Sequence, residues 1–272
     1  MMKYPFKHPS RPDWSARWIA AACLLSVAAL IAVLAYINRH PTEPESSAAA
    51  SAPPAASTPQ AMPPMPEGLL SGEFDPSQYD GIFTVLPEGY ADKTIYVRRS
   101  TGEALVRMSD AARQDGVPLR VVSGFRSHKH QKSIWERKWA EFSGSRREKT
   151  VQVLQYSSFP GTSRHHWGSD VDFNSVNPDY WLSAEGMKTH LWLRKNAARF
   201  GFCEPYSGDR HQGYANEPWH WSYLADAQDI NQAADPAYLN KLLQSEISGA
   251  DTLTAADLQP YVGEIAAECL RP

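Results

Sequence analysis

The sequence predicts an α+β fold with a small, mainly antiparallel sheet flanked by helices, preceded by one transmembrane helix and a proline-rich tether. Three observations lead to this prediction. Beyond residue 100, helix-type and strand-type periodicities follow one another without a regular βαβ repeat. An apolar run of twenty residues without a charge covers 18–37. Between the two, residues 41–66 contain eight prolines among alanines and serines.

The run 18–37 is long enough to cross a membrane, because about twenty helical residues span the hydrocarbon core of a bilayer. The positive-inside rule places residues 1–17, with their lysines and arginines, in the cytoplasm and the chain beyond about residue 40 outside. A cleaved signal peptide is the alternative, but its apolar core has about 7–15 residues and a small-x-small site just beyond. Here the nearest such site, 50–52, lies well past the run, which favours an uncleaved single-pass anchor.

Composition bounds the rest of the chain. Residues 38–70 are predicted to form a disordered linker, since a Pro/Ala/Ser segment cannot bury a core, and 41–66 reach at most ~80 Å when extended. A single domain is expected at 71–225, followed by a C-terminal helical extension at 226–272. The net charge of −3 and the lack of a long basic run outside the N-terminal tail argue against a nucleic-acid partner.

The helices and strands of the domain follow from local patterns. Residues 100–114 are predicted to be a helix, with Ser100 as a candidate N-cap and Gly116 as the stop. The further segments, in chain order, are a strand at 118–123, a helix at 130–142, a loop with a helical piece at 143–161, a strand at 169–176, a helix at 187–200 closed by Gly201, a strand at 219–224, and a mostly helical stretch at 226–270.

Two cysteines fall on the predicted outer side of the membrane. An oxidising compartment permits a bridge between Cys203 and Cys269. The sequence does not show whether the two approach each other, so both alternatives stay open. Cys23 lies within the apolar run and is expected to pack there.

Two motifs supply the side chains of a catalytic metal site, SRHHWGSDVD at 163–172 and EPWHW at 217–221. Two imidazoles and one carboxylate are a natural three-ligand set for one zinc ion per chain, with the fourth position open to water. His165, Asp172 and His220 are the candidates, and Gly168 allows a turn between the first two. Asp170 is expected to orient a ligand or to substitute for Asp172. The combination predicts a zinc peptidase.

Two further residues fit hydrolysis of an amide. Glu217 precedes His220 by three residues, and a bend at Pro218 is expected to place its carboxylate beside the metal as a general base. Arg126 can stabilise negative charge on a carbonyl oxygen or clamp a substrate carboxylate. The remaining histidines are expected at the surface, except that His166 should point away from the metal as a support for the ligands.

These residues resemble a known family. SGFRSHKHQ, SRHHWGSDVD and EPWHW, in this order and spacing, are similar to the three signatures of the zinc D-alanyl-D-alanine carboxypeptidases of the vancomycin-resistance (VanY-like) type, within the lysostaphin and hedgehog superfamily. The resemblance covers roughly 80–225. The sequence departs from the usual pattern at Asp170, where the family has alanine.

The resemblance implies roles for particular residues and a substrate. His165, Asp172 and His220 would bind zinc, with Glu217 as catalytic base, and Arg126, Gln131 and Ser163 would contact the substrate. The substrate would be a peptidoglycan stem peptide that loses its terminal D-alanine. An L,D-carboxypeptidase, a murein endopeptidase and a non-catalytic wall-binding protein remain alternatives. The predicted anchor agrees, since it places the domain in the periplasm, outside a bacterial inner membrane.

Overall fold

Two antiparallel sheets organise the residues that the computed structural model describes, which are 64–208, 210, 212–228 and 230–270. Strands β1 (Phe83–Val85) and β2 (Tyr96–Arg98) form a hairpin-like pair. The larger sheet has the order β3-β4-β6-β5, built from β3 (Val121–Ser123), β4 (Asp170–Phe173), β5 (Phe202–Cys203) and β6 (His220–Tyr223). Helices surround both sheets, so the α+β prediction is confirmed for this part of the chain.

The helices lie before, between and after the strands. They are α1 (Arg99–Gln114), α2 (His128–Glu141), α3 (Arg146–Leu154), α4 (Pro178–Leu182), α5 (Ala184–Asn196), α6 (Ile230–Ala233), α7 (Pro236–Leu243) and α8 (Ala255–Gly263). Short 3-10 helices occupy Pro76–Gln78, Arg164–Trp167, Ala197–Phe200, Ala250–Thr252 and Ala267–Leu270. Among the described residues, no helix has the length and apolar character needed to cross a membrane. The predicted anchor 18–37 and most of the predicted linker 38–70 lie outside the described residues.

Several element ends differ from the predictions for local reasons. Ser100 lies inside α1 instead of capping it, and its hydroxyl donates to the Asp226 carboxylate. Helix α2 begins at His128 because the Ser127 hydroxyl accepts the His130 N–H. The predicted strand 169–176 ends at Phe173, since Asn174 adopts a left-handed conformation with φ 53°.

Other helices and strands have only weak or partial patterns in the sequence. The segment 143–161 holds α3, which starts with a capping box between Ser145 and Glu148 that is visible in the sequence. Strands β1, β2 and β5 have only two or three residues each, too few for a period to show. The predicted helix 187–200 corresponds to α5 and a final 3-10 turn, and it ends at Gly201 with φ 84°.

The C-terminal helices pack against helices of the segment 71–225. One core lies between the larger sheet and helices α1 and α5. A second core joins α2 and α3 to α7 and α8, through Trp135, Leu154, Leu239 and Leu258 among others. The indole N–H of Trp135 also donates to the Ser248 carbonyl at 2.8 Å. The C-terminal segment 226–270 therefore packs against helix α2 and stabilises it.

A disulfide joins Cys203 on β5 to Cys269, near the end of the described chain. It settles the pairing that the sequence left open, and its Cα–Cα distance of 5.6 Å is ordinary for a bridge. The half-cystines belong to a small core that also contains Tyr206, Tyr214 and Ile265. The bridge thus ties the C-terminal segment to the edge of the larger sheet.

Reduction of this disulfide is expected to lower the free energy of unfolding by about 2–5 kcal/mol, because the bridge closes a long loop in the unfolded chain. Denaturant unfolding with and without a reductant measures the loss. The Cys203→Ser/Cys269→Ser double variant should unfold like the reduced protein and should not respond to reductant. Equal stability of the oxidised and reduced forms would contradict a structural role.

Candidate metal centre

Strand pairing brings Asp172 and His220 together although they are 48 residues apart. Strands β4 and β6 are antiparallel neighbours, and in their register Asp172 lies directly opposite His220. His165 comes from the 3-10 helix Arg164–Trp167, which precedes β4. Its ligand atom and those of Asp172 and His220 all lie within 4.8 Å of one another, and all three residues are buried. The structure therefore brings the three predicted ligands to one point.

The turn between His165 and β4 requires a glycine. Gly168 has φ 71°, a left-handed conformation that side chains rarely adopt. A Cβ atom there would lie 2.5 Å from the Phe83 ring. The glycine ends the 3-10 helix and lets the chain pass into β4 against that ring, as the sequence suggested.

Hydrogen bonds fix which nitrogen of each histidine faces the site. Nδ1 of His165 donates to the Gly124 carbonyl at 2.9 Å, and Nε2 of His220 donates to the Asp170 carboxylate at 3.1 Å. The opposite nitrogens, Nε2 of His165 and Nδ1 of His220, each lie 3.3 Å from an oxygen of Asp172. Both lone pairs thus point to the Asp172 carboxylate, the arrangement that a shared cation requires.

The protein alone leaves this cluster electrostatically incomplete. Oδ1 of Asp172 is buried and has no hydrogen-bond partner among the described residues. Burial lowers the pKa of His165. Burial also opposes charge on His220, but the hydrogen bond to Asp170 and the negative charge of Asp172 outweigh it and raise the pKa of His220 to about 9. A divalent cation would satisfy the orphaned oxygen and replace the proton that His220 otherwise attracts, so the donor set fits a metal.

Asp170 supports His220 and is not one of the three clustered ligands. Its carboxylate accepts hydrogen bonds from Nε of Arg164 at 2.8 Å, from the Ser169 hydroxyl at 2.6 Å and from the Ser222 hydroxyl at 3.1 Å, besides His220. Burial alone would raise the pKa of Asp170, but Arg164 and these hydrogen bonds hold it well below its usual range. Of the two alternatives left by the sequence, the contacts favour orientation of a ligand.

Replacing Asp170 with asparagine is expected to weaken zinc binding by about 10–100-fold, the usual effect of losing a carboxylate behind a ligating histidine. Competition with a chromophoric chelator measures the affinity at a temperature where circular dichroism shows the variant folded. Asp251→Asn removes an exposed carboxylate that pairs with Arg146 and should leave the affinity unchanged. An unchanged affinity in folded Asp170→Asn would refute the supporting role.

Glu217 lies beside the cluster, at the start of the turn that leads into β6. The His220 N–H donates to the Glu217 carbonyl at 2.9 Å, which closes this turn, and Oε2 of Glu217 is 3.6 Å from Nδ1 of His220. The residue is only 9% exposed. Burial raises its pKa to about 7, with Asp172 adding to the effect and His220 opposing it. A carboxyl group with this pKa is suited to accept and return a proton near neutral pH.

Arg126 faces the same cluster from the loop that follows β3. Its Nη2 is 3.5 Å from Oδ2 of Asp172 and donates to the Ser123 hydroxyl at 2.9 Å, while Nη1 donates to Oε1 of Gln131 at 2.9 Å. A guanidinium has five N–H donors, so these two hydrogen bonds leave others for a bound molecule. Burial lowers the pKa of Arg126 and the carboxylates of Asp172 and Glu217 oppose it.

The two predicted substrate contacts occupy different positions. Ser163 lines the cavity over the cluster. Gln131 is 0% exposed and lies beneath Arg126, where its amide also donates to the Ser158 carbonyl at 2.8 Å. The structure thus shows Gln131 holding Arg126 in place. His166 points away from the cluster, as expected, and its Nδ1 donates to the Arg126 carbonyl at 2.6 Å.

The cavity of about 510 Å³ in front of the cluster also contains residues that the motifs did not indicate. Tyr206 packs its ring 4.7 Å from that of His220, and Tyr214 packs 5.0 Å from Tyr206. Arg137 and Lys138 line the side formed by α2. The tyrosines come shortly before EPWHW in the sequence, but no spacing rule connects them to a metal site. Of the other histidines, His190 forms a hydrogen bond with the Glu204 carboxylate, and His211 lies outside the described residues.

Comparisons with known proteins agree with this geometry. A family model described as D-alanyl-D-alanine carboxypeptidase (VanY) matches residues 94–226, which include every cluster residue. A D-alanyl-D-alanine carboxypeptidase of Enterococcus faecalis is 34% identical over 154 residues, 55% of this chain and 54% of that protein. The chain spans about half the length of that protein and of a putative carboxypeptidase, YodJ, of Bacillus subtilis.

Two solved structures are also similar. VanYB in complex with D-alanine-D-alanine is 30% identical, with a TM-score of 0.43, over 60% of this chain and 94% of that one. A VanY D,D-pentapeptidase mutant in complex with Zn(II) is 27% identical, with a TM-score of 0.43, over 62% of this chain and 93% of that one. Over residues 94–226, the chain is similar to the VanY family of D-alanyl-D-alanine carboxypeptidases.

Proposed function

We propose that this protein is a zinc-dependent D-alanyl-D-alanine carboxypeptidase that removes the terminal D-alanine from peptidoglycan stem peptides. The observation that carries the proposal is the convergence of His165, Asp172 and His220 within 4.8 Å, with the Glu217 carboxylate 3.6 Å from His220. The match to the family model supports the substrate class. One chain offers a site for one zinc ion.

Zinc suits the donor set because it accepts imidazole nitrogen and carboxylate oxygen and, with three protein ligands, keeps one position open. Bound there, it would act as a Lewis acid that polarises the scissile carbonyl and lowers the pKa of water to about 7. The side chains of the protein would supply the remaining functions, which are proton transfer, binding of the substrate and exclusion of solvent.

Glu217 would carry the proton in both halves of the reaction. It takes a proton from the attacking water as the water oxygen bonds to the carbonyl carbon, and it gives this proton to the amide nitrogen as the carbon–nitrogen bond breaks. Free D-alanine leaves as an amine. The raised pKa of Glu217, about 7, allows both transfers near neutral pH because neither protonation state is strongly preferred.

Arg126 would select a substrate with a free C-terminus. Its side chain is 18% exposed, and Gln131 and Ser123 hold it at the floor of the cavity. A fixed guanidinium in a partly desolvated site binds a carboxylate through paired hydrogen bonds. Held there, the terminal carboxylate brings the preceding carbonyl toward the metal ligands, which favours a carboxypeptidase over an endopeptidase.

The cellular location belongs to the same proposal. The apolar run 18–37, preceded by lysines and arginines, would anchor the chain in the inner membrane as a single span. The proline-rich linker would then present the catalytic domain in the periplasm, where peptidoglycan lies. A reporter enzyme that is active only outside the cytoplasm should be active when it is fused after residue 70.

The deciding experiment is incubation of the zinc-loaded protein with defined muropeptides and identification of the products by mass. Loss of one alanine from pentapeptides, but not from tetrapeptides or cross-linked dimers, is expected. Shortening of tetrapeptides would indicate an L,D-carboxypeptidase, and cleavage of dimers would indicate an endopeptidase. Binding to sacculi without any product, despite bound zinc, would reject an enzymatic role.

A further inference from the structure

One side of the cavity carries an excess of positive charge. Arg126, Arg137 and Lys138 line it, whereas the acidic residues among its described lining are Asp172 and Glu217, both parts of the catalytic cluster. Arg164 also lines the cavity, but Asp170 neutralises it at 2.8 Å. Like charges brought together around a cavity repel one another, and a bound anion relieves that repulsion.

Helix α2 carries Lys138 on the same face as Gln131, which lies at the catalytic end of the helix. Gln131, Ile134 and Lys138 follow the i, i+3, i+7 spacing of a single helix face. Gln131 holds Arg126 at the floor, and Ile134 and Lys138 line the wall. At 1.5 Å per residue, Lys138 lies about 10 Å farther along the helix than Gln131.

An extended peptide reaches Lys138 with its third residue. If Arg126 holds the terminal carboxylate, successive residues rise by about 3.4 Å each, so ~10 Å corresponds to three residues. The third residue from the C-terminus precedes the two alanines. In peptidoglycan stem peptides this residue is a diamino acid. Its side chain carries either an ammonium group together with a free carboxylate, or an ammonium group alone.

Both cations have donors available for such a group. Nζ of Lys138 makes one hydrogen bond, to the Tyr156 carbonyl at 3.2 Å, and an ammonium has three donors. Among the described residues, the ion-pair partner of Arg137 is Glu141, and the two lie 4.0 Å apart, at the outer limit for an ion pair. The Glu217 carboxylate attracts Lys138, but among the described residues neither cation has an ion pair shorter than 4.0 Å.

We propose that Lys138 and Arg137 form a subsite for a free carboxylate on the third residue from the C-terminus of the substrate. The enzyme would then prefer stem peptides that contain a diamino dicarboxylic acid, such as diaminopimelate, over stem peptides that contain lysine. This inference rests on the proposed function, because it takes Arg126 as the binding point of the terminal carboxylate.

Three synthetic pentapeptides that differ only at the third residue test the subsite: diaminopimelate, the neutral Nε-acetyl-lysine and lysine. For the zinc-loaded protein, kcat/KM for release of D-alanine should fall in this order, by about ten-fold from first to last, as expected for one partly exposed charge contact. The difference should appear mainly in KM, since the contact is equally strong in the bound substrate and in the transition state. It should shrink at high ionic strength.

Variants on α2 locate the effect. Lys138→Gln keeps a donor for Tyr156 and should reduce the preference several-fold, and the Lys138→Gln/Arg137→Gln double variant should abolish it. Lys129→Gln removes the same charge from an exposed position of the same helix and should keep the full preference. A loss of preference in Lys129→Gln would overturn the subsite, because net charge alone would then explain it.

The remaining outcomes separate the subsite from the proposed function. Equal release of D-alanine from all three peptides by the unaltered protein would overturn the subsite and leave the carboxypeptidase proposal standing. Release from none of them, with zinc bound, would overturn both.

Discussion

Replacing Glu217 with glutamine is expected to lower kcat by about 10²–10⁴-fold while zinc remains bound. Glutamine keeps the size and hydrogen-bonding ability of the side chain but cannot take up a proton. Glu217 is outside the three-ligand cluster, so its loss should not release the metal. Steady-state kinetics on a pentapeptide and zinc content of the purified variant are the two measurements.

Glu204→Gln is the matched control for this experiment. Glu204 is also a buried glutamate, but it pairs with His190 at 2.9 Å and does not line the cavity. Its variant should keep kcat, even if its stability falls. Full turnover in Glu217→Gln would exclude this residue as the base, and loss of zinc from that variant would instead make it a ligand.

Zinc is expected to raise Tm by about 5–10 °C when its concentration is ~100 times Kd, since binding to the folded state alone adds about 2.7 kcal/mol there. Asp172→Ala should abolish this shift and all activity. The reason is the position of Asp172 between the free nitrogens of His165 and His220, 3.3 Å from each. Thermal melts with chelator and with added zinc measure the effect without depending on turnover.

Asp179→Ala serves as the control, because this carboxylate is exposed in the first turn of α4. It should keep the zinc-dependent rise in Tm. If Asp172→Ala folds and still gains the same rise, the cation binds elsewhere and the assignment of the three ligands is wrong. His165→Ala offers an independent test, since it removes a different member of the cluster.

Asp170 shows how the family pattern and the structure complement each other. Where the pattern has alanine, this chain has a buried carboxylate, and a buried charge is costly unless it is paired. Arg164, Ser169, Ser222 and His220 all contact it. The substitution therefore comes with its own set of partners, and its consequence is a second carboxylate that orients one zinc ligand.

Local sequence signals predicted most of the fold. Helix α1 was recognised from its apolar spacing and Gly116, and strands β4 and β6 from their alternation, because these patterns depend only on nearby residues. Strands β1, β2 and β5 were missed, since they are defined by pairing with distant partners and are too short to show a period. The prediction of an anchor at 18–37 concerns residues outside the described part of the chain.

By itself, the sequence predicted the chemistry of the site: which side chains could bind zinc, which carboxylate could act as a base, and which arginine could bind a carboxylate. Only the tertiary structure decided how they are held. It placed Asp172 opposite His220, put Asp170 behind His220, and joined Cys203 to Cys269. Motifs record residue types and local spacing, whereas these contacts arise from strand register and packing between segments far apart in the chain.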